Sequence, residues 1–424
     1  MTNFDVIVVG GGTSGMMAAI SAAENGATVA IIDKNRMLGK KLRLTGGGRC
    51  NVTNNRPPEE IIDFIPGNGK FLYSAFSQYN NYDIMNFFES NGVPLKEEDH
   101  GRLFPVANQS KAIIEGLANK LKELNVTLIM KSTVKKLNAE SGQITGLTTE
   151  DGSTYNAPCV ILSTGGKTFQ YTGSTGDGYK LAKQLGHTVT PLFPTESPIK
   201  SKDTFVKDKQ LQGLSLRDIR LAVLDQKGKE IVGHEMDLLF THFGVSGPAA
   251  LRCSMFVNKE LEKGYGDVIL SLDALPKSSV SDLEKNVNQR IAEQGSKSVK
   301  NGLKNLLPER FLDFLLMQLN IDGTKPLKQL TDEEKSQFVH LIKDFRFTGY
   351  DTYPLDKSFV TGGGIELKEI QPKSMESKLV NGLFFSGELL DVNGYTGGYN
   401  ITAAFVTGRV AGKHAAEISS YFKY

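Results

Sequence analysis

Four clusters in this chain combine residue types and spacing that can do chemistry. Near the start, Gly10-Gly11-Gly12-Thr13-Ser14-Gly15 fits G-x-G-x-x-G, and Asp33 follows 23 positions after Gly10. At such spacing Gly10 allows a tight turn, Gly12 lets the backbone approach a diphosphate, and Gly15 lets helix and strand pack closely. The acid is then placed to accept hydrogen bonds from a ribose. The second cluster is Leu44-Thr45-Gly46-Gly47-Gly48-Arg49-Cys50-Asn51-Val52-Thr53-Asn54. Three glycines in a row pack nothing and cost backbone entropy, so close approach of another group is the natural reason for them. The third comprises strand ends in small residues: Thr164-Gly165-Gly166, Gly387-Glu388, and the glycines before a helix in Gly397-Gly398-Tyr399-Asn400-Ile401. The fourth is Phe240-Thr241-His242-Phe243-Gly244-Val245-Ser246-Gly247-Pro248.

Two side chains in these clusters are candidates for catalysis. Cys50 follows Arg49, and a neighbouring cation can lower a thiol pKa and equip it to exchange a proton; a small packed thiol is the plainer alternative. His242 reads either as a capping or hydrogen-bonded histidine or as a substrate-side acid or anion binder.

The elements that must position these residues follow from pattern. Phe4 to Val9 is a short β-branched apolar run, the signature of a strand buried on both faces. A helix to about Glu24 is stopped by Asn25-Gly26, and a second strand runs from Ala27 to Asp33. Residues 70–91 read as an aromatic helix and 110–124 as an amphipathic one. Runs at 126–130, 132–137 and 144–149 read as a small sheet or meander, and 159–163 as a buried strand. Residues 199–275 read as short strands and 281–345 as helical, after a boundary marked by Pro191, Pro194 and Pro198. A helix of small residues is expected over 401–416, its N-terminus pointing a partial positive charge at the glycines before it.

Composition narrows the class. The 424 residues, 39% hydrophobic and 23% charged with net charge +2, describe an ordinary globular chain of two or three domains. Cys50, Cys159 and Cys253 are far apart, which excludes a C-x-x-C redox pair and argues against a disulfide framework. No run approaches a membrane span, and the dinucleotide unit begins almost at Met1, so a cytoplasmic location is expected. Residues 34–56 carry seven cations (Lys34, Arg36, Lys40, Lys41, Arg43, Arg49, Arg56) and no acid. They are read as a loop along the cofactor, with some cations facing its diphosphate or an anionic substrate. Should that substrate be RNA, several of Lys40, Lys41, Arg43 and Arg49 are expected on phosphates.

Taken together, GGGTSG, LTGGGRCNVTN, GRLFPV, TGSTGDGY, FTHFGVSGP and GELLDVNGYTGGYN resemble the BaiN-like/YhiN-like bacterial flavoproteins, which include aminoacetone oxidase-like enzymes. The resemblance spans nearly the whole chain. It implies an α/β fold: a glutathione-reductase-like, Rossmann-type FAD-binding domain (1–190 and 350–424) with an inserted domain (191–349). The insertion would be a β-rich barrel over 191–278 followed by helices over 279–349. The implied cofactor is non-covalent FAD, with no metal. Glu388 would sit by the ribityl chain and residues 397–401 by the isoalloxazine ring.

The expected cofactor contacts begin with Gly10, Gly12, Thr13, Ser14, Gly15, Asp33, Lys34 and Lys41. They continue through Thr45, Gly46, Gly47, Gly48, Arg49, Cys50, Asn51 and Val134. The set is completed by Thr164, Gly165, Gly166, Gly387, Glu388, Gly397, Gly398, Asn400 and Ile401. Aspartate at position 33, where glutamate is commoner, leaves the choice between FAD and NAD to these other motifs. The resemblance also implies hydride exchange between a substrate carbon and flavin N5. Three functions remain open: an NAD(P)H-linked reductase of a polarised C=C bond in an enone or in ribosomal RNA uridine; an oxidase of a small amine such as aminoacetone; and a non-catalytic flavin-containing binding protein. No second G-x-G-x-x-G is present for a dedicated NADPH domain, which weighs toward the oxidase, although NAD(P)H can bind transiently without one.

Overall fold

The computed structural model describes residues 2–422, which form two compact units. The first runs to Phe193 and resumes at Leu355; the second is Pro194–Pro354.

The first unit is built on a five-stranded parallel sheet: β1 (Val6–Val9), β2 (Val29–Asp33), β3 (Thr127–Met130), β4 (Cys159–Leu162) and β5 (Leu383–Phe385), in the order β5-β4-β1-β2-β3. All its pairings are parallel. β1, β4 and β5 are buried throughout, as a sheet covered on both faces requires. Two helices meet beside it, α1 (Thr13–Glu24) and α2 (Tyr399–Ser420). They approach backbone to backbone: a Cβ on Gly408 would collide with the Ser14 main chain, and one on Gly412 with the Ala18 carbonyl. Ser21 Oγ donates to the Arg409 carbonyl at 2.7 Å, and Arg409 pairs with Glu24.

Local readings differ from the sequence-based expectation in two places here. Residues 127–130 leave the meander and form the outer strand of the parallel sheet, pairing with β2. The meander itself is Val134–Glu140, Gln143–Thr149 and Thr154–Asn156, with Thr2–Asn3 at its edge. The single helix expected over 70–91 is broken. A short turn at Gly69–Leu72 and a four-residue helix at Tyr73–Phe76 precede Asn81–Ser90, which Asn80 starts through a capping box with Asp83. The Asn80 side chain accepts from the Tyr82 and Asp83 N–H groups, which a continuous helix would have bonded to carbonyls of the preceding turn.

The second unit holds a seven-stranded antiparallel sheet. Its two outer strands, Phe345–Gly349 and Asp351–Thr352, are consecutive stretches of one segment. The first pairs with Val268–Asp273 and the second with Ile199–Lys200, so the sheet closes on itself as a barrel. Phe205, Phe240, Phe311, Phe314, Phe345 and Phe347 fill its core. Helices Val280–Gln294, Glu309–Gln318 and Asp332–Lys343 follow the barrel strands in sequence or interrupt them. The region expected to be strands also contains a 15-residue helix, Pro248–Glu262. Gly247, at φ +88°, and Pro248 at the first turn start it, a helix-start signal that strand-like surroundings obscure.

The α1–α2 contact yields a test of sign. Gly→Ala inside an ordinary exposed helix stabilises by about 1 kcal/mol. Gly412→Ala should instead destabilise, by about 1–3 kcal/mol for an overpacked contact, in urea unfolding. An increase in stability would contradict the close approach.

Candidate functional site: a glycine-lined cradle

The turn between β1 and α1 keeps to glycine for two opposite reasons. A Cβ on Gly10, at φ +104°, would press on the Ser163 carbonyl, and one on Gly15 would overlap the Gly10 carbonyl. At Gly12, by contrast, a Cβ would meet nothing within 4 Å. That position faces open space at the start of α1, where Gly12 supplies no side-chain cap and the first turn holds no acid. The first N–H groups of the helix are therefore free for an anion, with the helix dipole behind them. Beside them, the Asp33 carboxylate accepts from the Gly11 N–H at 2.6 Å and from the Asn35 N–H at 2.7 Å. Both bonds come from the backbone, so they orient the carboxylate and leave lone pairs for a ribose.

A second set of residues stands around Glu388. Its carboxylate accepts from Lys41 Nζ at 2.7 Å and from the Thr361 N–H at 2.9 Å, while Lys41 Nζ also donates to Thr168 Oγ1 at 2.6 Å. Burial works to raise the Glu388 pKa, and the Lys41 ammonium with the Thr361 amide more than offsets it, keeping the carboxylate charged. Gly165 and Gly166 lie alongside, where a Cβ would meet Ser174, Thr361 and Glu388 itself. Thr164 Oγ1 is buried with no hydrogen-bond partner among the described residues.

The third set joins Thr45–Asn54 to the start of α2. Gly46 and Gly47 are left-handed, at φ +56° and +66°, and a Cβ on Gly47 would meet nothing within 4 Å. Thr53 Oγ1 and Thr402 Oγ1 are 2.7 Å apart, and Asn54 Nδ2 donates to the Gly397 carbonyl at 3.2 Å. Gly398 fits against the Thr53 carbonyl and Asn51. Asn51 Oδ1 is buried with no partner among the described residues. α2, like α1, begins with a glycine that offers no side-chain cap and no acid in its first turn.

Open space at Gly12 and Gly47, two orphaned buried oxygens and two uncapped helix starts fit a dinucleotide with a polar ring system. The first-turn amides of α1 would hold the diphosphate and Asp33 the ribose. The dinucleotide's polar groups would supply the partners that Asn51 Oδ1 and Thr164 Oγ1 lack.

Several expected site residues have other duties. Lys34 Nζ donates to Thr175 Oγ1 at 2.6 Å and pairs with Asp177 at 2.5 Å. Lys40 Nζ donates to the Tyr171 carbonyl at 2.6 Å. Arg49 pairs with Glu98 at 2.9 Å and lies 4.1 Å over the Phe104 ring, and Arg56 lies 4.4 Å over Phe64. Most of the basic loop is thus bound to acceptors or rings elsewhere in the chain. Arg36 and Arg43 remain exposed, without an ion pair among the described residues. The Asn400 side chain is taken up by Gly394, accepting from its N–H and donating to its carbonyl, both at 2.7 Å. Val134 is buried at the start of the meander, opposite Thr149.

The two catalytic candidates also change character. Cys50 is fully enclosed at φ +63°, and burial pushes its thiol up to about 12 despite a hydrogen bond with Thr45. The expected lowering by Arg49 does not occur, because that guanidinium is committed to Glu98 and Phe104. His242 lies in the second unit, exposed at the turn after Phe240 and packed edge-on against Phe243 at 5.0 Å. It makes no hydrogen bond among the described residues, so a capping role is not what holds it there. Thr168, Thr361, Glu98 and Phe104 were missed in the sequence, although Thr361 stands in a glycine run and Phe104 in GRLFPV.

The chain has relatives that match it over nearly its whole length. Over 419 residues the chain is 31% identical to the 3-dehydro-bile acid delta(4,6)-reductase of Clostridium scindens, covering 97% of this chain and 98% of that protein. It is 30% identical over 407 residues to the ribosomal RNA dihydrouridine synthase of Escherichia coli, covering 96% of each. In fold it matches the 3-ketosteroid delta1-dehydrogenase structure from Sterolibacterium denitrificans, with a TM-score of 0.53 at 14% identity, covering 99% of this chain and 100% of that one. A diphosphate-ready helix start beside a ribose-ready carboxylate, on this sheet, places the chain among the Rossmann-type FAD-dependent oxidoreductases. Within that class it belongs to the HI0933-like Rossmann-domain family, whose model matches residues 4–414.

Two measurements check the site. Gly12→Val should leave the unfolding midpoint of the FAD-free protein unchanged, because the space is open, yet abolish flavin absorbance in the purified protein; a yellow variant would refute the cradle. Native protein at neutral pH should leave Cys50, Cys159 and Cys253 unmodified by a thiol reagent, since all three are buried. Rapid labelling of Cys50 would contradict its enclosed, protonated state.

Proposed function

We propose that the chain holds FAD without a covalent link and reduces a carbon–carbon double bond conjugated to a carbonyl, with NAD(P)H as the electron source. The observation that carries this reading is what two near-full-length relatives share. One is named for reducing the delta(4,6) system of a 3-dehydro-bile acid, the other for making dihydrouridine in ribosomal RNA. A sterol and a polynucleotide have little in common, but each reaction adds two hydrogens across a C=C bond next to a carbonyl. The reaction, rather than either substrate, is what the relatives have in common.

When bound, FAD supplies a hydride donor and acceptor at its N5. The chain's residues supply the rest. The α1 amides and Asp33 anchor the nucleotide end, while the Lys41–Glu388 pair and the Thr361 amide fix the wall beside it. The uncapped start of α2 suits the negative charge of a reduced ring. Saturating an enone also requires a proton at the α-carbon. A thiol at about 12 is poorly matched to proton transfer near neutrality, so Cys50 is not assigned this role.

Under nitrogen, NADPH or NADH consumption should depend on an added steroid enone or a uridine-containing ribosomal RNA fragment. Aminoacetone with oxygen should give no turnover. Turnover of aminoacetone with oxygen, and none of the enone or the RNA, would replace the reductase with an amine oxidase.

A further inference from the structure

The loop after Thr168 presents aromatic side chains to water. Tyr171 is 66% exposed and Phe359 51%. Single exposed apolar residues are ordinary, but these two are joined through Phe169. The Phe169 ring meets Tyr171 edge-on at 6.0 Å and Phe359 at 5.7 Å. The cluster is anchored by its main chain. Phe169 N–H donates to the Asp356 carbonyl at 3.3 Å, Thr168 Oγ1 to the Phe359 carbonyl at 3.4 Å, and Lys40 Nζ to the Tyr171 carbonyl at 2.6 Å. Phe169 is itself left-handed, at φ +49°, a costly conformation for a bulky residue that persists only when its surroundings enforce it. Lys167 and Lys357, next in the chain to Thr168 and Asp356, are exposed and in no ion pair among the described residues.

Rigid, exposed rings bordered by unpaired lysines match one ligand chemistry well. Bases stack on aromatic faces whatever their sequence, while cations take the phosphates. A sterol calls for an enclosed apolar pocket rather than an exposed surface. A stable protein partner calls for about 800 Å² on each side, far more than two exposed rings offer.

We infer that the Phe169–Tyr171–Phe359 platform docks a single-stranded stretch of RNA, with bases stacked on Tyr171 and Phe359 and phosphates on Lys167 and Lys357. This rests on the reductase reading above and narrows its substrate class to RNA. The platform holds the strand; it takes no part in the reduction.

The test uses the FAD-loaded enzyme and a fluorescein-labelled single-stranded oligouridylate, followed by anisotropy at several salt concentrations. Tyr171→Ala with Phe359→Ala should weaken binding about ten-fold or more, whereas Tyr171→Phe with Phe359→Tyr should keep wild-type affinity. Lys167→Ala with Lys357→Ala should lower the slope of log K against log salt by about 1.4 for two single-strand contacts. Flavin absorbance and its bleaching by NAD(P)H should be the same in every variant. Wild-type affinity in the alanine pair would overturn the platform. No binding by the wild type at low salt, with enone reduction intact, would overturn RNA docking and leave the reductase standing. Failure of reduction with every substrate would sink the reductase reading on its own measurement. Loss of a dimer in the alanine pair, without loss of RNA binding, would make the surface a self-association site and end the inference.

Discussion

Two helices that cross backbone to backbone, with glycines on the α2 side of the contact, set the geometry of the first unit. Gly15 lies against the Gly10 carbonyl, while Gly408 and Gly412 lie against the main chain of Ser14 and Ala18. Only at that distance does α2, hundreds of residues later in the chain, share a wall with the first turn. Interiors are close-packed and yield little to added volume, so these contacts leave one arrangement. In it both helices begin uncapped, with no acid in the first turn. The orphaned N–H groups that a folded protein normally satisfies are kept here for a ligand.

Electrostatics then make the cradle stiff. Lys34, Lys40, Lys41 and Arg49 each reach across long stretches of sequence to a carboxylate or carbonyl. Such pairs add little stability where water screens them. The Lys41–Glu388 pair is the more enclosed, and there breaking one partner leaves a charge facing a desolvated wall. Glu388 has its pKa raised by burial and lowered further by Lys41 and Thr361, for a net depression. Its contribution is therefore present above the ordinary carboxylate range and lost as pH falls through its depressed folded-state value. The loop is best described as strapped to its surroundings, with glycines at the strap's open side.

Much of this was legible in the sequence for a definite reason. Buried parallel strands are continuous apolar runs, and helix starts at glycine clusters are local, so β1, α1, β2, β4 and the cradle glycines could be read directly. What failed was non-local. Residues 127–130 look the same whether they join a meander or a parallel sheet. The helix at Pro248–Glu262 lay among strands, and only Gly247-Pro248 marked it. Counting cations over 34–56 could not reveal that Tyr171, Glu98 and Glu388 would occupy them. Adjacency to Arg49 said nothing of the burial that raises the Cys50 thiol.

Whether this cradle supports reduction of a conjugated double bond is read most directly from a single turnover without oxygen. Holoenzyme reduced chemically to the end point and freed of excess reductant is mixed with a steroid enone, and separately with a uridine-containing RNA fragment. The account predicts that the flavin absorbance returns with at least one of them, with one saturated product formed per flavin. A flavin that stays reduced with both and recovers only when oxygen is admitted would contradict it.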